Sequence, residues 1–331
     1  MPRFLVVRFS SIGDIVLTSP VIRCLKEQVP DAEIHFLTKP AYASLFESNP
    51  YLKKVWKWEG NLKALLNDLR AQHFTKVIDL HHNLRSLRVK MALGRPSSAF
   101  SKLNVEKYLR VRFGYDRLPR LHIVDRYLAT VQSLGVVNDG KGLDYFLPYG
   151  ADESMRSKLP PTHQNDFIAV VCGALKATKC MPAEMLASIC TQLNKPVVLL
   201  GGPAEAATGE LITEKAGANV FNACGKFSLH ESAACLKHSQ LVITHDTGLM
   251  HIAAAFKKPV ISIWGNTIPA FGMAPYLPAN EKLSFISEVK NLSCRPCSKI
   301  GYDKCPKGHF RCMRDQDLES IIRQANHLSG N

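Results

Sequence analysis

The stretch LVITHDTGLMHIAAAFKKPVISIWG, residues 241–265, holds two continuous apolar runs joined by a segment of helical spacing. The runs, 241–246 and 259–265, show no polar alternation, as expected of strands buried on both faces. Between them Gly248 opens a helix expected over 248–256. Strand, helix and strand in that order imply a parallel sheet with helices on its faces.

The alternation continues outward from this stretch. Upstream come FIAVVCG (167–173), a helix over 182–193, PVVLLGG (196–202), a helix over 204–216, NVFNA (219–223) and a helix over 228–238. In the first half, FLVVRF (4–9) precedes an amphipathic run from Ile15 to Val29, and EIHFLT (33–38) precedes a short helix near 41–47. KKVWKW (53–58) leads to a helix over 61–72, and KVIDL (76–80) to another from Leu84. The rhythm breaks at 145–166, rich in Pro, Gly and polar residues, which reads as a linker. The expected fold is α/β: two Rossmann-like, doubly wound parallel-sheet domains with a cleft between them, over 1–150 and 167–313, joined by 151–166. A last helix is expected over 316–328.

Composition agrees with this size. A chain of 331 residues suits two ordinary domains, and 46% hydrophobic with 21% charged residues is normal for a soluble protein. No apolar run approaches the roughly 18–20 residues of a membrane span, and Met-Pro-Arg leads straight into a strand without a signal peptide. A cytoplasmic location is expected. The net charge is +14 and uneven: residues 1–150 carry 23 basic and 13 acidic residues, residues 151–331 carry 19 and 15. Arg85–Arg120 alone holds ten basic residues against Glu106 and Asp116. Such a field favours a polyanionic partner. The aromatics of that block follow no base-stacking pattern, so an anionic membrane surface or a phosphorylated substrate is favoured over nucleic acid.

Three junctions between a strand and a helix carry possible chemistry. In RFSSIGDIVLTSP (8–20), Gly13 permits a tight turn and Asp14 stands near the start of a helix. There Asp14 is either a helix cap or a general base at the carboxyl edge of a strand. No G-x-G-x-x-G is present, which removes the main support for a dinucleotide dehydrogenase. An epimerase of similar build would need Tyr-x-x-x-Lys, and the match Tyr149-x-x-x-Glu153 fails at the lysine. In VITHDTGLMHIAAAF (242–256), the amides of Thr247, Gly248 and Leu249 point toward an anion, with Asp246 and His251 beside them. Asp246 as a cap and His251 as a packing residue is the plainer alternative. In GALKATKCMPAEM (173–185), Lys176 and Lys179 would neutralise a leaving phosphate or be solvated. At LLGGPAEAA (199–207), Gly201 and Gly202 allow a ligand or a sharp turn, and Glu205 either accepts from sugar hydroxyls or begins a helix.

Together RFSSIGDIVLTSPVIRCLK, TKCMPAE, LLGGPAE and THDTGLMHIAAAFKKPVISIWG resemble the ADP-heptose:lipopolysaccharide heptosyltransferases of glycosyltransferase family 9, in the right order along nearly the whole chain. The resemblance implies a GT-B fold, with an acceptor-binding first domain, a nucleotide-sugar-binding second domain, and the segment 314–331 packing back on the first. It implies inverting, metal-independent heptose transfer from ADP-heptose to the lipopolysaccharide inner core, by an enzyme that needs no cofactor. By motif position, Asp14 would be the base and Lys179 would hold the diphosphate. Glu205 would meet the ribose, Asp246 would bind the heptose hydroxyls or help orient the donor, and Thr247, Gly248 and His251 would form the phosphate corner. The chain departs from the family at GALKA, where relatives carry threonines, which leaves hydroxyl contacts to phosphate open there. A non-catalytic or differently specific nucleotide-sugar-binding homologue is the competing reading. The resemblance also implies a protein peripheral to the inner membrane, and a monomer is expected.

On the acceptor side, Ser11, Gly13, Asn83 and Arg85 are candidates, the last two from DLHHNLRS (79–86), where a generic polar strand end is equally consistent. The chain has ten cysteines, too many scattered ones for a disulfide framework in a reducing compartment. Four of them, Cys294, Cys297, Cys305 and Cys312, cluster with His309, and read as a structural zinc site, as reduced thiols or as disulfide formers.

Overall fold

The computed structural model describes residues 1–60 and 62–330. Contacts divide the chain into two units, Met1–Leu103 with Leu121–Phe146, and Asn104–Arg120 with Leu147–Asn331. Each contains one parallel sheet.

The first unit runs β1 (Arg3–Val7), α1 (Ile12–Val16), α2 (Ser19–Gln28), β2 (Glu33–Thr38), α3 (Pro40–Glu47), β3 (Lys54–Lys57), α4 (Leu62–Ala71), β4 (Lys76–Asp79), α5 (Leu84–Leu93) and β5 (Ser97–Ala99). Its strand order is β3-β2-β1-β4-β5, all parallel. The chain moves outward from β1 to β3 and then crosses to β4, so loops diverge above the β1–β4 gap. Phe4, Leu5, Val6 and Val7 are buried on both faces of the central strand, as a continuous apolar run requires. Asn61, the first residue of the helix expected over 61–72, lies outside the described residues. The single run expected from Ile15 to Val29 is two helices, α1 and α2. Gly94 ends α5 in the left-handed region at φ 60, the position where glycine closes a helix.

Next come α6 (Asn104–Phe113), which belongs to the second unit, and α7 (Ile123–Leu128), which returns to the first. The second unit continues with α8 (Ala151–Lys158), β6 (Ile168–Val171), α9 (Ala183–Thr191), β7 (Val197–Leu200), α10 (Ala206–Ala216), β8 (Val220–Asn222), α11 (Leu229–His238), β9 (Leu241–His245), α12 (Gly248–Ala255), β10 (Val260–Trp264), β11 (Ser284–Glu288), α13 (Arg311–Arg314) and α14 (Leu318–Leu328). Its order is β11-β10-β9-β6-β7-β8, again parallel throughout. Here the order reverses between β6 and β9.

Three boundaries differ from expectation. Residues 151–166 are not a linker. Ala151, Met155 and Leu159 form a buried stripe at helical spacing, and α8 is tied to α11 by Lys158–Glu231 at 2.6 Å and Lys237–Asp152 at 2.9 Å. The Pro- and Gly-rich composition around it masks that stripe. Residues 104–120 leave the first unit for the second. The final helix, expected on the first unit, is part of the second unit's core: Ile321 and Ala325 are fully buried there among residues of β6, β9 and β10.

Candidate functional site

Open α/β sheets bind ligands beyond the carboxyl ends of their strands, where the strand order reverses. Each unit offers one such point.

In the first unit that point is the β1–β4 gap. Asp14 lies in the first turn of α1, in a box with Ser11: the Ser11 hydroxyl donates to Asp14 Oδ2 at 2.9 Å and the Ser11 amide at 3.3 Å. Ser11, not Asp14, is therefore the N-cap. The other carboxylate oxygen, Oδ1, meets Arg8 Nη2 at 2.7 Å. Arg8 is 8% exposed and also donates to the carbonyls of Ser10 (2.7 Å) and Leu80 (2.6 Å), bridging the loops after β1 and β4. Burial alone would lower its pKa, but Asp14, with Tyr127 and Asp79, outweighs this and raises it. Gly13 is buried within α1 and is not among the positive-φ glycines, so it closes no turn.

The β4 side of the gap is built on a buried carboxylate. Asp79, fully buried, accepts from the amides of His81 (3.0 Å) and His82 (2.7 Å) and from the Ser86 hydroxyl (2.8 Å), and pairs with Lys90 at 3.0 Å. Asn83 caps α5, accepting from the amides of Arg85 and Ser86. Its carbonyl oxygen is thus committed to the helix, while the Arg85 side chain is exposed. His81 packs edge-on against Phe9, and burial, aided by Arg8 and Lys102, drives its pKa down to about 4, leaving a neutral ring near Arg8.

In the second unit the point is the β6–β9 gap. Lys179, in the short turn Ala177–Lys179 after β6, meets Asp246, after β9, at 2.6 Å. The Thr267 hydroxyl, after β10, donates to the same Asp246 oxygen at 2.9 Å. Asp246 is thus held from two neighbouring loops. Thr247 is the N-cap of α12 and makes no side-chain cap, so the amides from Gly248 onward begin a helix whose dipole points at this corner. His251 is in the first turns of α12 and is 2% exposed. His245, at the end of β9, accepts from the Met181 amide at 2.9 Å and ties the lysine loop to the strand. Burial pushes its pKa down to about 4, against a smaller opposing effect of Asp246, so the ring is neutral and able to accept. Cys180, beside Lys179, is pushed up to about 11, mainly by burial, and is no nucleophile.

Glu205 folds back over the strand ends. A Cβ on Gly173 would stand 2.7 Å from Glu205 Oε1, and one on Gly201 would stand 2.7 Å from Glu205 Cβ. Those glycines make room for this side chain. The Gly202 amide donates to Glu205 Oε2 at 2.8 Å.

The four clustered cysteines are free and line one cavity with His309 and Arg295. Among the described residues, no group of three or more His, Cys, Asp or Glu side chains has a spacing that would hold a metal ion. The loop serves the corner mechanically. Tyr302 exchanges hydrogen bonds with Thr178, next to Lys179, through the Tyr302 amide (2.8 Å) and carbonyl (3.0 Å). Arg295 pairs with Glu288 at 2.7 Å and donates to the carbonyl of Thr267 at 2.9 Å.

Arg8, His245, Thr267 and Arg295 escape a reading of the sequence. Arg8 reads as part of a strand, although a lone arginine ending an apolar run just before an aspartate is a usable signal.

Residues 62–304 match the profile of "Glycosyltransferase family 9 (heptosyltransferase)". The chain is 24% identical over 332 residues to lipooligosaccharide heptosyltransferase 2 of Campylobacter jejuni, covering 97% of this chain and 96% of that one. It is 27% identical over 284 residues to lipopolysaccharide heptosyltransferase 3 of Escherichia coli K12, covering 78% and 81%. The structure of E. coli ADP-heptose lipopolysaccharide heptosyltransferase II superposes with a TM-score of 0.74 at 20% identity, covering 99% of this chain and 98% of that one, and shares the fold of two parallel-sheet α/β units. With the family profile covering most of the chain, this protein belongs to glycosyltransferase family 9 and is a glycosyltransferase.

Proposed function

We propose that the protein transfers heptose from ADP-heptose to a hydroxyl of the lipopolysaccharide inner core, with inversion at the anomeric carbon. The names of its relatives support donor and acceptor class. The observation that carries the chemistry is the Lys179–Asp246–Thr267 corner at the β6–β9 reversal.

In this reading Asp14 takes the proton of the acceptor hydroxyl as its oxygen attacks the anomeric carbon. The bond from that carbon to the diphosphate oxygen breaks, and ADP leaves with the electron pair. Lys179 and the α12 amides from Gly248 stabilise the charge growing on the diphosphate, which supplies cationic help from the chain itself. Asp246, oriented by Thr267, receives heptose hydroxyls or sets Lys179, and Thr247 lies beside the phosphates. Glu205 receives the ribose, and the exposed Arg85 serves an anionic acceptor. The acceptor's lipid places the enzyme at the inner membrane surface.

The test is direct: purified enzyme with ADP-heptose and core-lipid acceptors, product mass and anomeric configuration read by mass spectrometry and NMR. A heptosylated, inverted product and ADP in equal amounts are expected. ADP-heptose binding without a product on any core acceptor would overturn the reading.

A further inference from the structure

Helix α6 and the residues after it carry two apolar faces. One is used: Val111 and Leu118 pack against Ile268, Ala270 and Phe271, with the Lys107 ammonium 5.8 Å from the Phe271 ring centroid. The other is turned out. Val105, Tyr108 and Arg112 follow one another at helical spacing, and Phe113 and Tyr115 extend the row past the helix end. Val105 is 67% exposed, Tyr108 60%, Phe113 57% and Tyr115 65%. The rings touch in sequence, Tyr108 with Phe113 at 6.1 Å and Phe113 with Tyr115 at 6.3 Å between centroids, so they form one ridge.

Single exposed apolar residues are ordinary, but four large ones within eleven residues are a patch. This one is set among cations. Residues 104–120 contain five basic and two acidic residues, and Arg112 and Arg117 are exposed. Arg120 makes a wide, solvent-screened contact to Asp116 at 3.6 Å. Soluble polyanions would satisfy the arginines but leave Val105 and the ridge in water. A bilayer interface satisfies both, because tyrosine and phenylalanine settle at headgroup depth while arginines reach lipid phosphates. A helix of ten residues is about 15 Å long and lies on the surface without crossing it.

We infer that residues 104–120 dock the enzyme on an anionic lipid bilayer, with Tyr108, Phe113 and Tyr115 entering the headgroup layer and Arg112, Arg117 and Arg120 meeting lipid phosphates. This rests on the reading of a membrane-borne acceptor, but it is measured without donor, acceptor or turnover, so the two fail separately.

The experiment is co-sedimentation of the full chain with vesicles of phosphatidylcholine alone or mixed with phosphatidylglycerol. Binding is expected to the mixed vesicles only, weakening as salt rises. Phe113→Ser/Tyr115→Ser is expected to bind about tenfold more weakly with an unchanged thermal melt, since both side chains are exposed, and Arg112→Gln/Arg117→Gln is expected to lose binding as well. In Phe113→Trp, the added emission should shift to the blue on mixed vesicles. No binding by the parent chain would overturn the inference. So would loss through the arginine variant alone with the aromatic variant unaffected, which marks a soluble-polyanion site.

Discussion

The two sheet reversals are built on one plan and wired differently. Above β1–β4 a carboxylate is paired with a cation from its own loop, Asp14 with Arg8 only six residues away. Above β6–β9 the carboxylate and cation come from different loops, Asp246 and Lys179, and a third loop adds Thr267. A pair made within one loop persists whatever the neighbouring strands do. A pair made between loops exists only when the strands are in register and the loops are braced, here by Tyr302, His245 and Arg295. In the reaction proposed above, the first arrangement would suit a group that keeps one orientation while it handles a proton, and the second a lysine that exchanges a carboxylate for a phosphate.

The largest effect should separate the two. Asp14→Asn keeps the shape and should lower kcat by about 10²–10⁴-fold with donor affinity intact, measured by ADP release and by donor titration. Wild-type turnover in this variant would remove Asp14 from the chemistry. Lys179→Ala should lower kcat/KM by about 10²-fold and weaken donor binding, the reverse emphasis, and a change confined to the acceptor KM would contradict its place at the diphosphate.

Stability effects come next. Arg8→Ala removes the guanidinium 2.7 Å from Asp14 and the donor to two carbonyls, and should cost about 3 kcal/mol in urea unfolding, with Arg8→Lys recovering part. Acid should act on both units through histidines. Burial holds His81 and His245 at about 4 in the folded chain against an ordinary 6.5. Between those values the unfolded chain binds more protons, so stability is complete above about 6.5 and lost as pH falls toward 4. The loss should be about 3 kcal/mol for fully buried His245 and less for His81. A flat stability profile across that window would contradict the neutral, buried rings. The smallest effect tests a close approach: Gly173→Ala should cost about 1–3 kcal/mol, and Glu205→Ala in the same chain should recover most of it.

The parallel-sheet fold was legible because its central strands are unbroken apolar runs, but the strand orders, and with them the two reversals, were not. Edge strands Ser97–Ala99 and Ser284–Glu288 were not, because short, half-exposed strands lack that signature. Asp14, Lys179 and Asp246 could be named from local pattern. That the last two touch could not, since 67 residues separate them and only strand order brings them together. Gly201 misled for a similar reason: glycine reports that space is needed, but not whether a ligand or a neighbour such as Glu205 fills it. Asn83 shows the limit of polar clusters, since its oxygen satisfies backbone amides in its own helix.

The excursion of residues 104–120 into the second unit has a consequence for biosynthesis. Leu118 emerges from the ribosome 150 residues before Ile268, on which it settles. At roughly 5–20 residues per second, that is about 10–30 s in which a cationic, aromatic helix waits without its seat. The nascent chain therefore displays the apolar face of Val111 and Leu118 before half of the protein exists.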